Sequence, residues 1–181
     1  MRVTCRGLGL PGLLLSSGAS TSDGRGDFTK VLSGADPVLD GFVGREVFWT
    51  RSAKGVLRGM HFQLPPEATS KLVFVVNGTI RDFVLDLRVG SPTEGKLVEV
   101  PLSPADGALV VPKGCAHAYE SLEDNTIVCY VQDVPFGTPE CYAGIRPDSA
   151  GIVPQSPEVI VAPRDSDLPR LEDFISPFVF D

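Results

Sequence analysis

The sequence of 181 residues contains only two histidines, and its four cysteines include no C-x-x-C pair. A disulfide framework is therefore not expected, and a reduced cytoplasm is the expected compartment. With 16 Lys and Arg against 23 Asp and Glu, the chain also lacks the excess of positive charge that general nucleic-acid binding requires. An anionic ligand would need a local set of cations, for which Arg25, Arg58 and Lys71 are the candidates.

Long apolar runs are missing as well. Residues 8–18 briefly resemble the hydrophobic part of a signal peptide, but Gly and Pro interrupt them and they are too short to cross a bilayer. We expect an N-terminal β-strand there and no membrane partner.

Nineteen Gly and sixteen Pro interrupt the chain, which favours many short strands over long helices. Asn77-Gly78 is a strong hairpin signal between the apolar segment 71–76 and the segment 79–88. A single short helix is expected near residues 168–174. Short strands at regular spacing predict an all-β sandwich or barrel, with residues 1–181 forming one domain.

Segment 79–88 has two distinct faces. Arg81, Phe83, Leu85 and Leu87 alternate with Asp82, Val84 and Asp86, because successive strand residues point in opposite directions. The face with the two acids is either solvent-exposed or lines a polar cavity, and periodicity alone leaves both alternatives open.

The most informative stretch is 55–76, because Arg58, His61 and Lys71 lie within it. His61 is a candidate general base, since the pKa of an unperturbed imidazole lies near neutrality. Lys71 can stabilise an oxyanion in a dry pocket, and the Tyr130 phenol can return a proton from another direction. Together these groups predict proton removal next to a carbonyl.

Each of these residues also has an ordinary structural explanation. A lone strand histidine is usually a satisfied polar residue, a lysine at the start of a strand is usually solvated, and Tyr130 can be a core aromatic. In a regular strand Arg58 and His61 would also point to opposite faces. Both reach one site only if Gly59 marks a bulge or the chain wraps around the strand edge.

A metal site is not favoured. The histidines are 56 positions apart, and neither has a second histidine two or four positions away. A site of two histidines and one carboxylate, with Asp82 or Asp86, remains arithmetically possible. We expect no metal and no cofactor.

Several segments together resemble the dTDP-4-dehydrorhamnose 3,5-epimerase family of cupins. The strongest are Gly55–Gln63 (GVLRGMHFQ), Lys71–Val73 (KLV), Asp86–Pro92 (DLRVGSP) and Pro112–Tyr119 (PKGCAHAY). Weaker ones are Asp23–Phe28 (DGRGDF), Gly144–Arg146 (GIR) and Arg164-Asp165. The resemblance implies a metal-free jelly-roll barrel, usually a homodimer that exchanges N-terminal strands. It also implies epimerisation of a nucleotide-linked 4-keto-6-deoxy sugar at C3 and C5.

The same resemblance assigns roles by motif position. His61 is similar to the catalytic base, Asp165 to the carboxylate paired with it, Lys71 to the lysine near the 4-keto oxygen, and Tyr130 to the acid on the opposite face. The role of Asp165 rests wholly on this resemblance. The implied substrate-binding residues are Arg58, Arg25, Gln63, His117 and Asp82.

The chain departs from the family pattern at a few positions. Glu46-Val47-Phe48 stands where family members carry Gln-x-Asn, Phe136 replaces an aromatic hydroxyl, and Ala118 follows the second-motif histidine where Gly is usual. Reaction type is therefore a firmer expectation than the nucleotide, which can be dTDP, GDP or CDP. The alternatives are a C3-only epimerase, a C3–C4 keto-isomerase, a nucleotide-sugar-binding cupin without activity, and a metal-dependent cupin oxygenase or isomerase.

Overall fold

The structure is a computed structural model that describes residues 4–33, 39 and 41–180. Within those ranges the chain forms short β-strands and one single-turn helix, and 3-10 turns occur at Pro139–Cys141 and Leu171–Asp173. The strands and helix are β1 (Cys5–Gly7), β2 (Leu14–Ser16), β3 (Ala19–Asp23), β4 (Gly26–Lys30), β5 (Glu46–Ser52), β6 (Val56–Gln63), β7 (Lys71–Asn77), β8 (Ile80–Asp86), β9 (Leu97–Leu102), β10 (Leu109–Val111), β11 (Cys115–Ser121), β12 (Thr126–Gln132), β13 (Tyr142–Gly144), β14 (Ile160–Val161) and α1 (Pro163–Ser166).

Two facing sheets form a cupin-like jelly roll, as the spacing of short strands predicts. Sheet I has the order β1-β2-β10-β7-β12-β5, and sheet II has the order β13-β6-β11-β8-β9, with β14 also pairing with β6. Strands β3 and β4 form a separate two-stranded hairpin. Apolar side chains from both sheets, among them Val73, Val128, Ile80 and Val84, fill the space between them. No helix in the described ranges is long and apolar enough to cross a membrane.

The hairpin predicted at Asn77-Gly78 is wrong. Strand β7 belongs to sheet I and β8 to sheet II, so the turn carries the chain from one sheet to the other. Val75 before the turn and Ile80 after it both point into the core between the sheets. Burial of both strands in that core therefore overrides the local preference of Asn-Gly for direct strand pairing.

The C-terminal segment covers the outer face of sheet II. Phe83 and Leu85 of β8 pack there against Ile145, Ile152 and Phe178, so β8 is buried on both faces. The open question about its acidic face is thereby answered, because Asp82 and Asp86 are both fully buried. A strand covered on both sides is typically apolar throughout. Because burying an unpaired charge is costly, each of the two acids needs a hydrogen-bonding or charged partner.

Two local predictions need correction. The N-terminal strand covers only Leu14–Ser16 of residues 8–18, because Gly9 and Gly12, with φ of +85° and +80°, form turns before it. The helix expected near residues 168–174 is instead the single turn α1 at Pro163–Ser166, followed by a 3-10 turn. Prolines flank and interrupt this region, which prevents a longer helix.

Strand β6 contains the bulge that the sequence required. His61 pairs with His117 and Arg58 with Tyr119, so three steps on β6 oppose two on β11. Gly59 sits at the irregularity with a φ of +122°, and a Cβ there would lie 2.5 Å from the Cβ of Ala118. The extra residue rotates the strand so that Arg58 and His61 face the same side.

We predict that Gly59→Ala destabilises the protein by about 4 kcal/mol, combining an unfavourable φ with overpacking against Ala118. Gly90→Ala is the matched control, because Gly90 also has a positive φ (+80°) but an added Cβ would meet nothing within 4 Å. It should lose only about 1 kcal/mol. Urea unfolding measures both, and equal losses would show that the close approach at Gly59 is unimportant.

Candidate active site

A cavity lies between the two sheets and is closed on one side by the C-terminal segment. Seven of the nine predicted site residues line it: Arg58, His61, Gln63, Lys71, His117, Tyr130 and Asp165. Further lining residues include Phe48, Thr50, Gln132, Phe136, Tyr142 and Arg164. The two exceptions are Asp82, which lies behind His117, and Arg25, which is in the exposed turn of the β3–β4 hairpin.

His61 and Asp165 form a hydrogen-bonded pair. His61 Nε2 lies 2.8 Å from Asp165 Oδ1, although 104 residues separate them in the chain. The other carboxylate oxygen accepts the backbone N–H of Gly59 at 3.4 Å. The C-terminal segment thus brings Asp165 to β6 between the places where β13 and β14 pair with that strand.

The electrostatics keep the imidazole neutral near neutral pH. Burial lowers the pKa of His61 because it disfavours the imidazolium, while the hydrogen bond and charge of Asp165 raise it only part of the way back. Burial alone would raise the pKa of Asp165, but the hydrogen bond and charge of His61 outweigh this effect and its pKa is lowered. A neutral His61 that donates Nε2–H to a carboxylate has a free lone pair on Nδ1, which suits a general base.

Two cations lie next to this pair: Arg164, whose Nε is 3.5 Å from Asp165 Oδ1, and the buried Lys71. Lys71 Nζ donates to the His61 carbonyl oxygen at 3.3 Å, and the residue is only 9% exposed. Burial lowers the pKa of Lys71 to about 8, opposed by the negative charge of Asp82. An ammonium group in a buried site, where little water screens its charge, is well suited to interact with developing negative charge.

The opposite wall is built around Tyr130 of sheet I. Phe48 stacks on the Tyr130 ring at 4.8 Å between centroids, and the edge of His117 contacts it at 5.9 Å. Burial raises the pKa of the Tyr130 phenol well above its ordinary value, so the group stays protonated. Since His61 belongs to sheet II and Tyr130 to sheet I, a ligand between the sheets meets them from opposite sides.

His117 pairs with the buried acid of β8. Its Nε2 lies 2.7 Å from Asp82 Oδ2, which fixes the ring next to Tyr130. The second oxygen, Asp82 Oδ1, is buried and has no hydrogen-bond partner within the described part of the chain. Each histidine thus has its own carboxylate, and the described residues contain no cluster of three His, Cys, Asp or Glu side chains that could hold a metal ion.

Arg58 and Gln63 both use some of their side-chain donors in hydrogen bonds within the protein. Arg58 donates to Ser52 Oγ at 3.1 Å and to the Arg51 carbonyl at 3.3 Å. The Gln63 amide donates to the Glu67 carbonyl at 2.7 Å and the Pro135 carbonyl at 3.3 Å, so its nitrogen holds the cavity rim. Of the Gln63 side chain, only the carbonyl oxygen has no hydrogen-bond partner among the described residues and is left for a ligand.

The divergent stretch 46–48 has three different environments. The Glu46 carboxylate accepts Gln132 Nε2 at 3.0 Å and Phe136 N at 2.9 Å, and therefore holds the rim in place. Val47 points outward and is 72% exposed. Of the three, only Phe48 lines the cavity, so this stretch adds an apolar ring and no acid to its wall.

Sequence reasoning singled out Phe136 but missed the aromatic set that it forms with Tyr142 beside the base. Tyr142 packs on His61 at 5.2 Å, Phe136 packs on Tyr142 at 5.2 Å, and the Arg164 guanidinium lies 5.7 Å from the Tyr142 ring centre. Arg164 is adjacent to Asp165 in the sequence, so its position could have been inferred. Nothing in the residue pattern placed β13 beside β6, and Tyr142 carried no usable signal.

Comparisons with known proteins identify a family and solved structures that this chain is similar to. The family profile described as dTDP-4-dehydrorhamnose 3,5-epimerase matches residues 7–173. The enzyme of that name from Streptomyces griseus is 32% identical over 173 residues, covering 93% of this chain and 82% of the relative. That of Mycolicibacterium smegmatis is 39% identical over 124 residues, which is 67% of this chain, and the match spans only 61% of that relative's length. A solved 4-keto-6-deoxy sugar epimerase from Streptomyces spheroides superposes with a TM-score of 0.89 at 26% identity, covering 96% of this chain and 89% of that one.

We predict that Asp165→Asn lowers the pKa of His61 further, because the amide oxygen can still accept the Nε2–H but the carboxylate charge that raises this pKa is lost. With only two histidines in the chain, long-range ¹H–¹⁵N spectra can follow each imidazole through a pH titration. Asp148→Asn, at an exposed acid of the same C-terminal segment, is the control and should leave both titrations unchanged. A His61 midpoint that rises in Asp165→Asn would show that the pair does not work as described.

Proposed function

We propose, because the chain belongs to the dTDP-4-dehydrorhamnose 3,5-epimerase family, that it epimerises a nucleoside-diphosphate 4-keto-6-deoxy sugar by removing protons alpha to the ketone. The best single substrate is the dTDP-linked sugar, with inversion at C3 and C5. One observation carries the proposal: the His61–Asp165 pair and the Tyr130 phenol reach one cavity from facing sheets. Inversion requires a base and an acid on opposite faces of the same carbon.

His61 is the base in this proposal. The C–H bond breaks, its proton moves to His61, and the electron pair enters the C4 carbonyl to give an enolate. Asp165 stabilises the imidazolium that forms, since its carboxylate already lies 2.8 Å from Nε2. A positioned general base typically contributes about 10²- to 10⁴-fold in rate.

Lys71 is assigned to the enolate oxygen. Its pKa of about 8 leaves the amine mostly protonated at neutral pH, and burial means that little water competes with the new charge. Asp82 supports the ammonium form by its charge. Asp82 itself does not line the cavity, and its predicted part in substrate binding is to hold the His117 ring at the cavity wall.

Tyr130 completes the inversion. Its O–H bond breaks as a proton moves to the opposite face of the planar carbon, which leaves a tyrosinate and a new C–H bond. Return of the original proton by His61 would restore the starting configuration. Exchange with solvent and inversion are therefore separable events at this site.

The two arginines among the predicted contacts are assigned to the nucleotide diphosphate. Arg58 is the cation at the cavity for one phosphate group, and a guanidinium binds such groups in a bidentate manner. Arg25 is too remote from its own cavity and is assigned to the cavity of a second subunit. We place the protein in the cytoplasm, because its four cysteines are far apart in the sequence and include no C-x-x-C pair.

We predict that incubation with dTDP-4-keto-6-deoxyglucose in heavy water gives deuterium at C3 and C5 and a new epimer, both followed by proton NMR. His61→Ala should slow deuterium incorporation about 10³-fold. Tyr130→Phe should keep incorporation and lose inversion. Circular dichroism of both variants confirms that they are folded.

Other outcomes identify the alternatives. Incorporation at C3 alone indicates a C3-epimerase, and a 3-keto product indicates a keto-isomerase. If the dTDP sugar is inert, the GDP- and CDP-linked 4-keto sugars are tested next. Affinity without exchange for all three indicates a binding cupin, and chelator-sensitive turnover with stoichiometric bound metal indicates a metal-dependent enzyme. Full activity of His61→Ala would end the assignment of the base.

We also propose that the chain, as one domain of residues 1–181, forms a homodimer through the outer face of sheet I. Val47, Trp49 and Val76 are 72%, 59% and 52% exposed there, an apolar patch of the kind that marks interfaces. The β3–β4 hairpin pairs only with itself among the described strands and carries Arg25 with a side chain 90% exposed. In this arrangement Arg25 reaches the partner's cavity. Exchange of the N-terminal strand stays a prediction, since β2 pairs with β10 of its own chain.

Trp49 is the only tryptophan and reports on this interface directly. We predict that its emission shifts to shorter wavelength as protein concentration rises, and that sedimentation gives a dimer. Val47→Glu should sediment as a monomer and keep the long-wavelength emission. Ile175→Glu, at an exposed apolar residue (92%) of the C-terminal segment, is the control and should leave the dimer intact. A Val47→Glu variant that sediments like the unmodified protein would contradict the proposed interface.

A further inference from the structure

Three hydroxyl groups form a chain between Arg58 and the phenol of Tyr130. The Tyr119 hydroxyl lies 2.8 Å from Thr50 Oγ1 and 2.8 Å from Ser52 Oγ. Arg58 Nε donates to Ser52 Oγ at 3.1 Å. Thr50 of β5 and Tyr130 of the paired strand β12 both line the cavity, and, against the effect of burial, a hydrogen bond from Thr50 lowers the pKa of the Tyr130 phenol. Because Tyr119 belongs to β11 and the other two hydroxyls to β5, the chain bridges the two sheets.

The cation at one end fixes the direction of these hydrogen bonds. A guanidinium can only donate, so Ser52 Oγ must accept from Arg58. If Tyr119 also donated to Ser52, the single Ser52 proton would have no acceptor among the described contacts, although Ser52 is only 3% exposed. The arrangement that satisfies every group runs from Ser52 to Tyr119 to Thr50.

This direction determines what Tyr130 can do. Thr50, having accepted from Tyr119, directs its own proton to the Tyr130 oxygen. The phenol oxygen then acts as an acceptor on that side, and its own hydrogen is free to point into the cavity. When Tyr130 loses that hydrogen, the Thr50 donor and the charge of Arg58 face the new anion.

We propose that Tyr119 is a positioning residue for inversion, acting through Thr50 to aim the Tyr130 proton at the substrate and to stabilise the tyrosinate that follows. This inference rests on the proposed function, because it assigns Tyr130 as the acid. The step balances without a further reactant: the phenol O–H bond breaks, the proton forms a C–H bond with the enolate carbon, and the negative charge stays on Tyr130. Tyr119 itself does not touch the substrate, because it does not line the cavity.

Tyr119→Phe removes the middle link and keeps the ring in the core. Thr50 then loses its donor and can accept from Tyr130, which turns the acid proton away from the cavity. The hydroxyl is not needed for proton removal by His61, which belongs to the facing sheet. The variant should therefore raise the ratio of the deuterium-exchange rate to the inversion rate. If the hydroxyl had only a structural role, its removal would change stability and leave this ratio unchanged.

In heavy water with dTDP-4-keto-6-deoxyglucose, we predict that Tyr119→Phe keeps deuterium incorporation and KM within about twofold and slows inversion about tenfold, the loss expected for one hydrogen bond to a charged group. Thr50→Val breaks the next link and should give the same partition, which covers the case that Tyr119→Phe fails to fold. Thr126→Val is the matched control: it removes another fully buried hydroxyl, bonded to the Glu123 carbonyl, and should leave the partition unchanged. An unchanged ratio of exchange to inversion in both chain variants would overturn the proposal.

A second readout does not need turnover. With tyrosine labelled at Cζ, the three tyrosines give three carbon resonances. The Tyr130 resonance should move in Tyr119→Phe and Thr50→Val and stay in place in Thr126→Val. If the unmodified protein exchanges none of the 4-keto sugars, the proposed function has failed, and this shift alone decides whether the chain reaches Tyr130. An unmoved resonance in both chain variants would refute it.

Discussion

The bulge at Gly59 is the constraint on which the rest of the site depends. It places Arg58 and His61 on the same side of β6, and it leaves the Gly59 N–H to donate to Asp165. A regular strand would send one of the two side chains into the outer apolar layer, where a charge is costly. A backbone irregularity of one residue therefore decides whether cation, base and carboxylate share a cavity.

Lys71 and Asp82 are buried charged groups whose desolvation works against folding stability. Burial lowers the pKa of Lys71 and raises that of Asp82, and each is moderated by the charge of the other. Replacing such a set by apolar residues of similar volume is often neutral or stabilising in proteins. Its presence in an otherwise apolar barrel agrees with the proposed chemistry, because an ammonium group with little water around it interacts strongly with developing negative charge.

The fold class and most of the site could be predicted from the sequence, but for different reasons. Short strands and turn residues predicted the barrel through local physics, and motif resemblance brought Asp165 to His61 across 104 residues. Local rules failed at Asn77-Gly78, where core burial sends the two strands to different sheets. They also gave no sign of Tyr142 or of the hydroxyls beside Tyr130, because those contacts arise only when β13 reaches β6 and β5 reaches β12.

The C-terminal segment that covers sheet II determines when, during synthesis and folding, the His61–Asp165 pair can form. The residues between 145 and 178 bury Phe83 and Leu85 and carry Asp165 on the same stretch. The ribosome must therefore have synthesised the chain beyond Asp165, more than 104 residues after His61, before His61 meets its carboxylate. Detachment of this segment alone, with the barrel still closed, would separate the two groups. One local-unfolding equilibrium therefore controls both the attachment of this segment to sheet II and the pairing of His61 with Asp165.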